Sequence, residues 1–199
     1  MISQELKQRY KKYNKQQLND GFIWACQNGH LEIVKFLLTS PELKEHADVH
    51  AKDDLGFRVA CRSGRLEVVK YLLTSPKLTK HADIHAKDDG GFRSACLGGH
   101  LEIVKYLLTS DELKKHADIH ARNDEGFIWA CRFGHLEVIK YLIIDMNIDK
   151  TTYIEKYLNE NKYNKNVQQA IELFNTRELH HQLNENIKDN KERVKKIKI

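Results

Sequence analysis

The chain has 199 residues, 41% of them apolar, a mean hydropathy of −0.62 and a formal net charge of +5. That is one domain of ordinary size, with no stretch near the roughly 18 apolar residues of a membrane span and, over residues 1–17, no apolar core of a secretory signal. The expected compartment is therefore the cytoplasm, or the nucleus through a partner. Residues 21–150 carry 18 Lys/Arg and 19 Asp/Glu, residues 1–20 five and two, and residues 151–199 ten and seven. The basic excess sits in the two ends, and a charge-balanced centre argues against nucleic-acid binding through it.

Residues 5–18, rich in Gln and Lys, predict a helix that caps the chain's first repeat. From Gly21 one unit recurs four times: GFIWACQNGHLEIVKFLLTS, then GFRVACRSGRLEVVKYLLTS at Gly56, GFRSACLGGHLEIVKYLLTS at Gly91 and GFIWACRFGHLEVIKYLII at Gly126, at a step of 35 residues. A fixed period of about 20–50 residues marks a stacked repeat array. Each unit of such an array touches only its neighbours, and together they present one long surface. The units span residues 21–55, 56–90, 91–125 and 126–150. Because Ile2-Ser3-Gln4-Glu5-Leu6-Lys7 resembles Thr39-Ser40-Pro41-Glu42-Leu43-Lys44, residues 1–20 read as the end of a partial unit.

The second unit shows what each one builds. Asp53-Asp54 precede Leu55-Gly56-Phe57 and Val59-Ala60-Cys61, with Gly64 beyond. An Asp ahead of an apolar run is an N-cap signal and a glycine after it suits a left-handed C-cap, predicting a helix over 55–63. Leu66, Val68, Val69, Leu72 and Leu73 come next at helical spacing, predicting a second helix over 66–73. Only Gly64-Arg65 separates the two, so they form an antiparallel hairpin. Ser75-Pro76 offers a Ser N-cap with Pro at the first helical position, predicting one or two further helical turns. Residues 81–89 predict an extended loop into the next unit. Helices of about eight residues are unstable alone in water, so the array must fold as a whole.

Beyond Ile144 the pattern changes. Tyr153, Ile154, Tyr157 and Leu158 fit one helix and Val167, Ala170, Ile171 and Phe174 another, so residues 151–175 read as a degenerate fifth helix pair closing the stack. Leu179, Leu183, Ile187, Val194 and Ile197 lie on a loose helical face in the charged segment 176–199. That segment reads as a protruding amphipathic helix or as a frayed tail.

Gly-His-Leu-Glu-Val/Ile-Val/Ile-Lys-Tyr/Phe-Leu, with Ala-Asp-Val/Ile further along, resembles the ankyrin repeat over residues 21–150 and in every unit. The resemblance implies an all-α ankyrin-repeat solenoid of antiparallel helix pairs, with a projecting hairpin-like loop per repeat, and protein binding as its usual activity. The family's Thr-Pro-Leu-His start is replaced here by Gly-Phe-Ile/Arg, so that Phe22, Phe57, Phe92 and Phe127 take the leucine's core position. The loop ahead of that start is shorter by about three residues and the segment after the second helix longer by about five, which turns a period of roughly 33 into this one. A shorter projection moves binding surface from the loop tips to the helices.

Cys26, Cys61, Cys96 and Cys131 recur at one position of the unit. Equivalent points on stacked helices lie about 8–10 Å apart, beyond the roughly 7 Å that a disulfide spans, so these read as buried apolar residues. His46/His50, His81/His85 and His116/His120 have a spacing that shares a zinc ion when it falls on a helix. Here the segment reads as a loop without the metalloprotease Glu. No phosphate loop and no Ser/His/Asp set stands apart from the repeat, so neither catalysis, cofactor nor metal is expected. By resemblance, His30, His100 and His135, with Arg65 in the second unit, are structural residues between the helices.

The units differ at Ile23/Arg58/Arg93/Ile128, Trp24/Val59/Ser94/Trp129, Gln27/Arg62/Leu97/Arg132 and Asn28/Ser63/Gly98/Phe133, and just ahead of the first helix at Leu55, Gly90 and Glu125. By resemblance these positions line a concave groove. The candidate partner-binding residues are Arg58, Arg62, Arg93, Leu97, Glu125, Arg132 and Phe133, since aromatic residues and Arg are enriched among interface hot spots. Trp24 and Trp129 fit either the core or the binding face. The expected partner is a protein with an acidic or mixed surface, bound by a monomer. Two rival readings are nucleic-acid or anionic-membrane binding through the basic ends, and the repeat region of a larger effector protein.

Stacking geometry forbids any pairing of the four cysteines. Thiol titration in denaturant without reductant is expected to find four free groups; a loss of two would refute that geometry.

Overall fold

A computed structural model describes residues 2–149, 151–162 and 164–197, with side chains as far as residue 188. The helices in chain order are Gln4–Tyr10 (α1), Lys15–Asn28 (α2), Leu31–Thr39 (α3), Ala51–Arg62 (α4), Leu66–Thr74 (α5), Ala86–Gly98 (α6), Leu101–Thr109 (α7), Ala121–Phe133 (α8), Leu136–Lys140 (α9), Thr152–Glu160 (α10) and Lys165–Ile197 (α11). A π-helical turn, Tyr141–Asp145, prolongs α9. There is no strand among the described residues. The fold is an all-α solenoid. The first helices of the units, α2, α4, α6 and α8, pack side by side in one layer, and the second helices, α3, α5, α7 and α9, form the layer behind. At the far end α10 packs on α8, and α11 packs on α8 and α9.

The Gly-Phe dipeptide explains the stacking. Phe22, Phe57, Phe92 and Phe127 are fully buried. A Cβ added at Gly56, Gly91 or Gly126 would lie 2.5, 2.4 or 2.8 Å from the ring of Phe22, Phe57 or Phe92 respectively. Each phenyl edge therefore rests on the bare backbone of the next unit's helix, and any larger residue there would push the layer apart. The ends substitute other rings: Tyr10 of α1 covers Gly21, and Phe174 of α11 packs on Phe127 with centroids 5.8 Å apart. The neighbouring Ala25, Ala60, Ala95 and Ala130 and the four cysteines are fully buried, and the thiols are free. Burial pushes those thiols far up from their ordinary range, which makes them inert.

Two expected elements are corrected. Residues 5–18 are not one helix, because α1 stops at Tyr10 and α2 starts at Lys15. Between them, the Asn14 side chain accepts from the Gln17 N–H and the Gln17 side chain from the Asn14 N–H, a capping box that starts a new helix. Lys7 and Lys11 hold α1 to Glu42 at 3.0 and 2.9 Å. The extra helical turns after Ser75-Pro76 are absent too. The Leu78 N–H bonds the Ser75 carbonyl at 3.1 Å, the Ser75 hydroxyl accepts from the Lys77 N–H, and His81 Nε2 donates to the Ser75 carbonyl at 2.9 Å. The Ala82 N–H then bonds the Leu72 carbonyl at 3.0 Å. The segment closes on itself, and His46 and His116 close the equivalent loops on Ser40 and Ser110.

Nor is the approach to the first helices of the second, third and fourth units extended. Lys52–Asp54, Lys87–Asp89 and Arg122–Asp124 all adopt left-handed backbone, with φ between 52° and 62°. Such a conformation costs an ordinary residue about 1–2 kcal/mol, so the surroundings must hold it. Asp54 is buried; it accepts from His50 Nδ1 at 3.1 Å and from the Asp83 N–H of the next unit at 3.0 Å. Asp89 repeats this with His85 at 2.9 Å and the Asp118 N–H at 3.1 Å. Asp124 takes His120 and the Thr151 hydroxyl, and Asn19 accepts from the Asp48 N–H at 2.8 Å. One carboxylate or amide thus locks its own turn and the next unit's loop together.

Asp89→Ala strands the Asp118 N–H and the His85 ring. It is expected to cost about 1–3 kcal/mol in urea unfolding. The Asp89→Ala/His85→Ala double mutant is expected to lose less than the sum of the singles by at least about 0.5 kcal/mol. Strict additivity would contradict the shared lock.

Candidate functional site

The exposed side of the first-helix layer carries the residues that differ between units. In the two middle units the third residue bonds back to the left-handed turn. Arg58 donates through Nε to the Asp53 carbonyl at 3.0 Å and through Nη2 to the Lys52 carbonyl at 3.2 Å. Arg93 repeats both bonds to Asp88 and Lys87 at 2.9 and 2.7 Å, pairs with Glu125 in the first turns of α8, and lies 5.6 Å from the Trp129 ring centroid. Arg93 is only 5% exposed. Arg58, Arg93 and Glu125 are therefore engaged inside the chain, with their charges committed to the turns and the unit junction.

The fourth, seventh and eighth positions look outward. Trp24 is 50% exposed with its ring against His30, whereas Trp129 is half-buried under Arg93. Arg62 and Arg132 are exposed and Leu97 is half-buried. Phe133 is 56% exposed and stacks on His135. Along the turn tips, ion pairs tie neighbours together: Lys52 to Asp20 at 2.8 Å and Lys87 to Asp53 at 2.9 Å. The Lys52 and Gln16 hydrogen bonds hold the Asp20 carboxyl below the usual carboxylate range.

Two clefts open on this layer, one at each end. The first, about 460 Å³, lies among Arg9, Tyr13, Gln17 and Trp24. The second, about 640 Å³, lies between α8 and α10 among Trp129, Arg132, Tyr153 and Tyr157. Ile23 and Ile128 stand in the end units where Arg58 and Arg93 stand in the middle ones. The Arg side chains cover the turns at the centre, and the shorter Ile128 lines the second cleft. Tyr13, Tyr153 and Tyr157 are the site residues that unit-to-unit comparison misses, because they lie outside the four units. The signal for them was the Ile-Trp pair shared by the first and last units alone.

The histidines sort into separate tasks. His46 and His50 bond Ser40 and Asp54 respectively. His100 and His135 donate through Nε2 to the Arg62 and Leu97 carbonyls at 2.9 and 2.8 Å, and Arg65 makes the same kind of bond to the Gln27 carbonyl at 3.1 Å. That shared bond is why Arg replaces His in one unit. Among the described residues there is no group of three or more His, Cys, Asp or Glu placed to hold a metal ion, and no helix long and apolar enough to cross a membrane.

The family model for ankyrin repeats in three copies matches residues 4–88 and again 59–154. No curated protein matches the chain.

The two kinds of arginine separate by measurement. Arg93→Ala removes a buried, fully bonded guanidinium and is expected to cost about 2–4 kcal/mol. Arg62→Ala, on the surface, is expected to stay within about 0.5 kcal/mol. Equal shifts of the denaturation midpoint would contradict this division.

Proposed function

The chain belongs to the ankyrin-repeat family, and we infer that it is a protein-interaction module that works by binding and not by catalysis. It binds a partner protein with the concave face built by its first helices, and acts in the cytoplasm. The observation that carries this reading is a division within each unit. The repeated Phe, Ala and Cys of the first helix are buried, while Trp24, Arg62, Arg132 and Phe133 on the same helices stand exposed. A constant second helix with a varied, outward-facing first helix is what a binding scaffold requires. Arg58, Arg93 and Glu125 support that face by fixing its turns, and Arg62, Leu97, Arg132 and Phe133 meet the partner. Residues 1–20 and 151–175 serve as caps.

The rival reading places binding in the basic ends. The far half of α11 exposes Leu179, Leu183 and Ile187, so a tail contact is physically available. A pull-down from lysate separates the two. Arg62→Ala/Arg132→Ala/Phe133→Ala is expected to weaken capture of the partner by 2 kcal/mol or more, about thirtyfold, without loss of helical signal. Deleting residues 179–199, which leaves Arg177 in place on the Ile143 and Ile148 carbonyls, is expected to change affinity by no more than a few-fold. The reverse outcome would move recognition to the tail.

A further inference from the structure

The concave-face reading leaves open what chemistry the partner presents, and the larger cleft supplies an answer that rests on that reading. The geometry points to the cleft between α8 and α10 as the seat of an acidic peptide segment of the partner protein, one that carries an apolar anchor side chain beside its carboxylates.

Size comes first. At about 640 Å³ the cleft falls in the range of about 300–1,000 Å³ typical of ligand pockets. It exists because Ile128 stands where Arg58 and Arg93 cover the equivalent turns. Its apolar wall is set in advance: the Arg93 guanidinium holds Trp129 from behind, and α10 contributes Tyr153, 53% exposed, and Tyr157, half-buried. Rigid aromatic rings with two torsions each give contact area at low entropic cost.

Charge then selects the ligand. Glu125 is the one acid lining the cleft among the described residues, and Arg93 of α6 neutralises it. Arg122 reaches the same carboxylate only at 3.8 Å. Arg132 is exposed and makes no ion pair among the described residues. One guanidinium, Arg132, is thus left unpaired and a second, Arg122, only loosely paired, beside an aromatic wall, and guanidinium is the group that pairs carboxylates bidentately. A nucleic-acid strand would need cations continuing along its path. Instead, the tip lysines beyond the cleft, Lys52 and Lys87, are neutralised by Asp20 and Asp53.

The test pans a random dodecapeptide library, displayed on phage, against the full chain, and measures the enriched peptides by fluorescence anisotropy. The expected peptides combine Asp or Glu with Trp, Phe or Leu. Arg132→Glu is expected to weaken them by about thirtyfold with an unchanged unfolding midpoint, and Tyr153→Ala is expected to weaken them as well. A peptide with its acids changed to Lys is expected to bind Arg132→Glu better than wild type, which a merely structural arginine would not produce. Failure to enrich acidic peptides, or binding indifferent to Arg132→Glu and Tyr153→Ala, overturns the proposal. Loss of binding on Trp24→Ala or Arg62→Glu instead keeps the concave face and discards this cleft. Loss only on Leu183→Glu, in α11, discards both. Tighter binding of a single-stranded oligothymidine than of any peptide, abolished by Arg132→Glu, makes the cleft a nucleic-acid site and overturns the peptide.

Discussion

The contact between a phenyl ring and the next unit's glycine governs this molecule. Glycine inside a helix costs about 0.5–1 kcal/mol relative to alanine, and the chain accepts that cost at Gly56, Gly91 and Gly126. In return the edges of Phe22, Phe57 and Phe92 come against backbone, and the first helices approach closely enough to bury the Ala-Cys pairs between them. Once that spacing is set, Asp54 and Asp89 reach the amide of the following loop, and Arg93 reaches Glu125. The polar locks thus depend on the apolar seat, and each junction is complete in itself, as a quasi-one-dimensional array requires.

Much of this was legible in the residues. The period, the two helices per unit and the buried Phe, Ala, Cys and Leu positions follow from repetition and spacing, because those signals are local and occur four times. Two of the misses share a cause: hydrogen bonds from residues outside the local signal overrode it. Ser75-Pro76 is a sound helix start by propensity, but His81 and Leu72 supply the bonds that close a turn there. Lys52 carries no sign of a left-handed conformation; Asp54, held by the next unit, and Arg58, across two carbonyls, impose it. The break between α1 and α2 was readable, since Asn14 and Gln17 have capping-box spacing, yet the run of Lys and Gln concealed it.

The candidate site teaches a narrower point about repeats. Comparing units within one chain identifies positions that vary, and variation has two sources. Arg58 and Arg93 cover the left-handed turns ahead of them; Ile128 leaves the turn before α8 uncovered, and Ile23 follows regular helix with no such turn. Arg62 and Arg132 vary in the open. Nothing in the local sequence distinguishes these arginines. Their place in the helix does: the third residue lies within reach of the turn that precedes it, while the seventh lies a full turn further on and faces out. The replacement of His by Arg65 is a third case, a change of residue that preserves one hydrogen bond to a carbonyl.

The matching middle junctions have a geometric consequence. At the junctions of α4 with α6 and of α6 with α8, one helix offers a phenyl ring and a carboxylate, and its successor receives them with a glycine and a loop amide. The chain can therefore lengthen or shorten by whole units without a new kind of joint. Each unit added between the first and the last would carry Trp24 and Trp129 further apart by one helix spacing, about 8–10 Å, leaving the clefts at the two ends as they are. The number of repeats is then a ruler. It fixes how far apart two aromatic sites are held, and so the span of any molecule able to touch both at once.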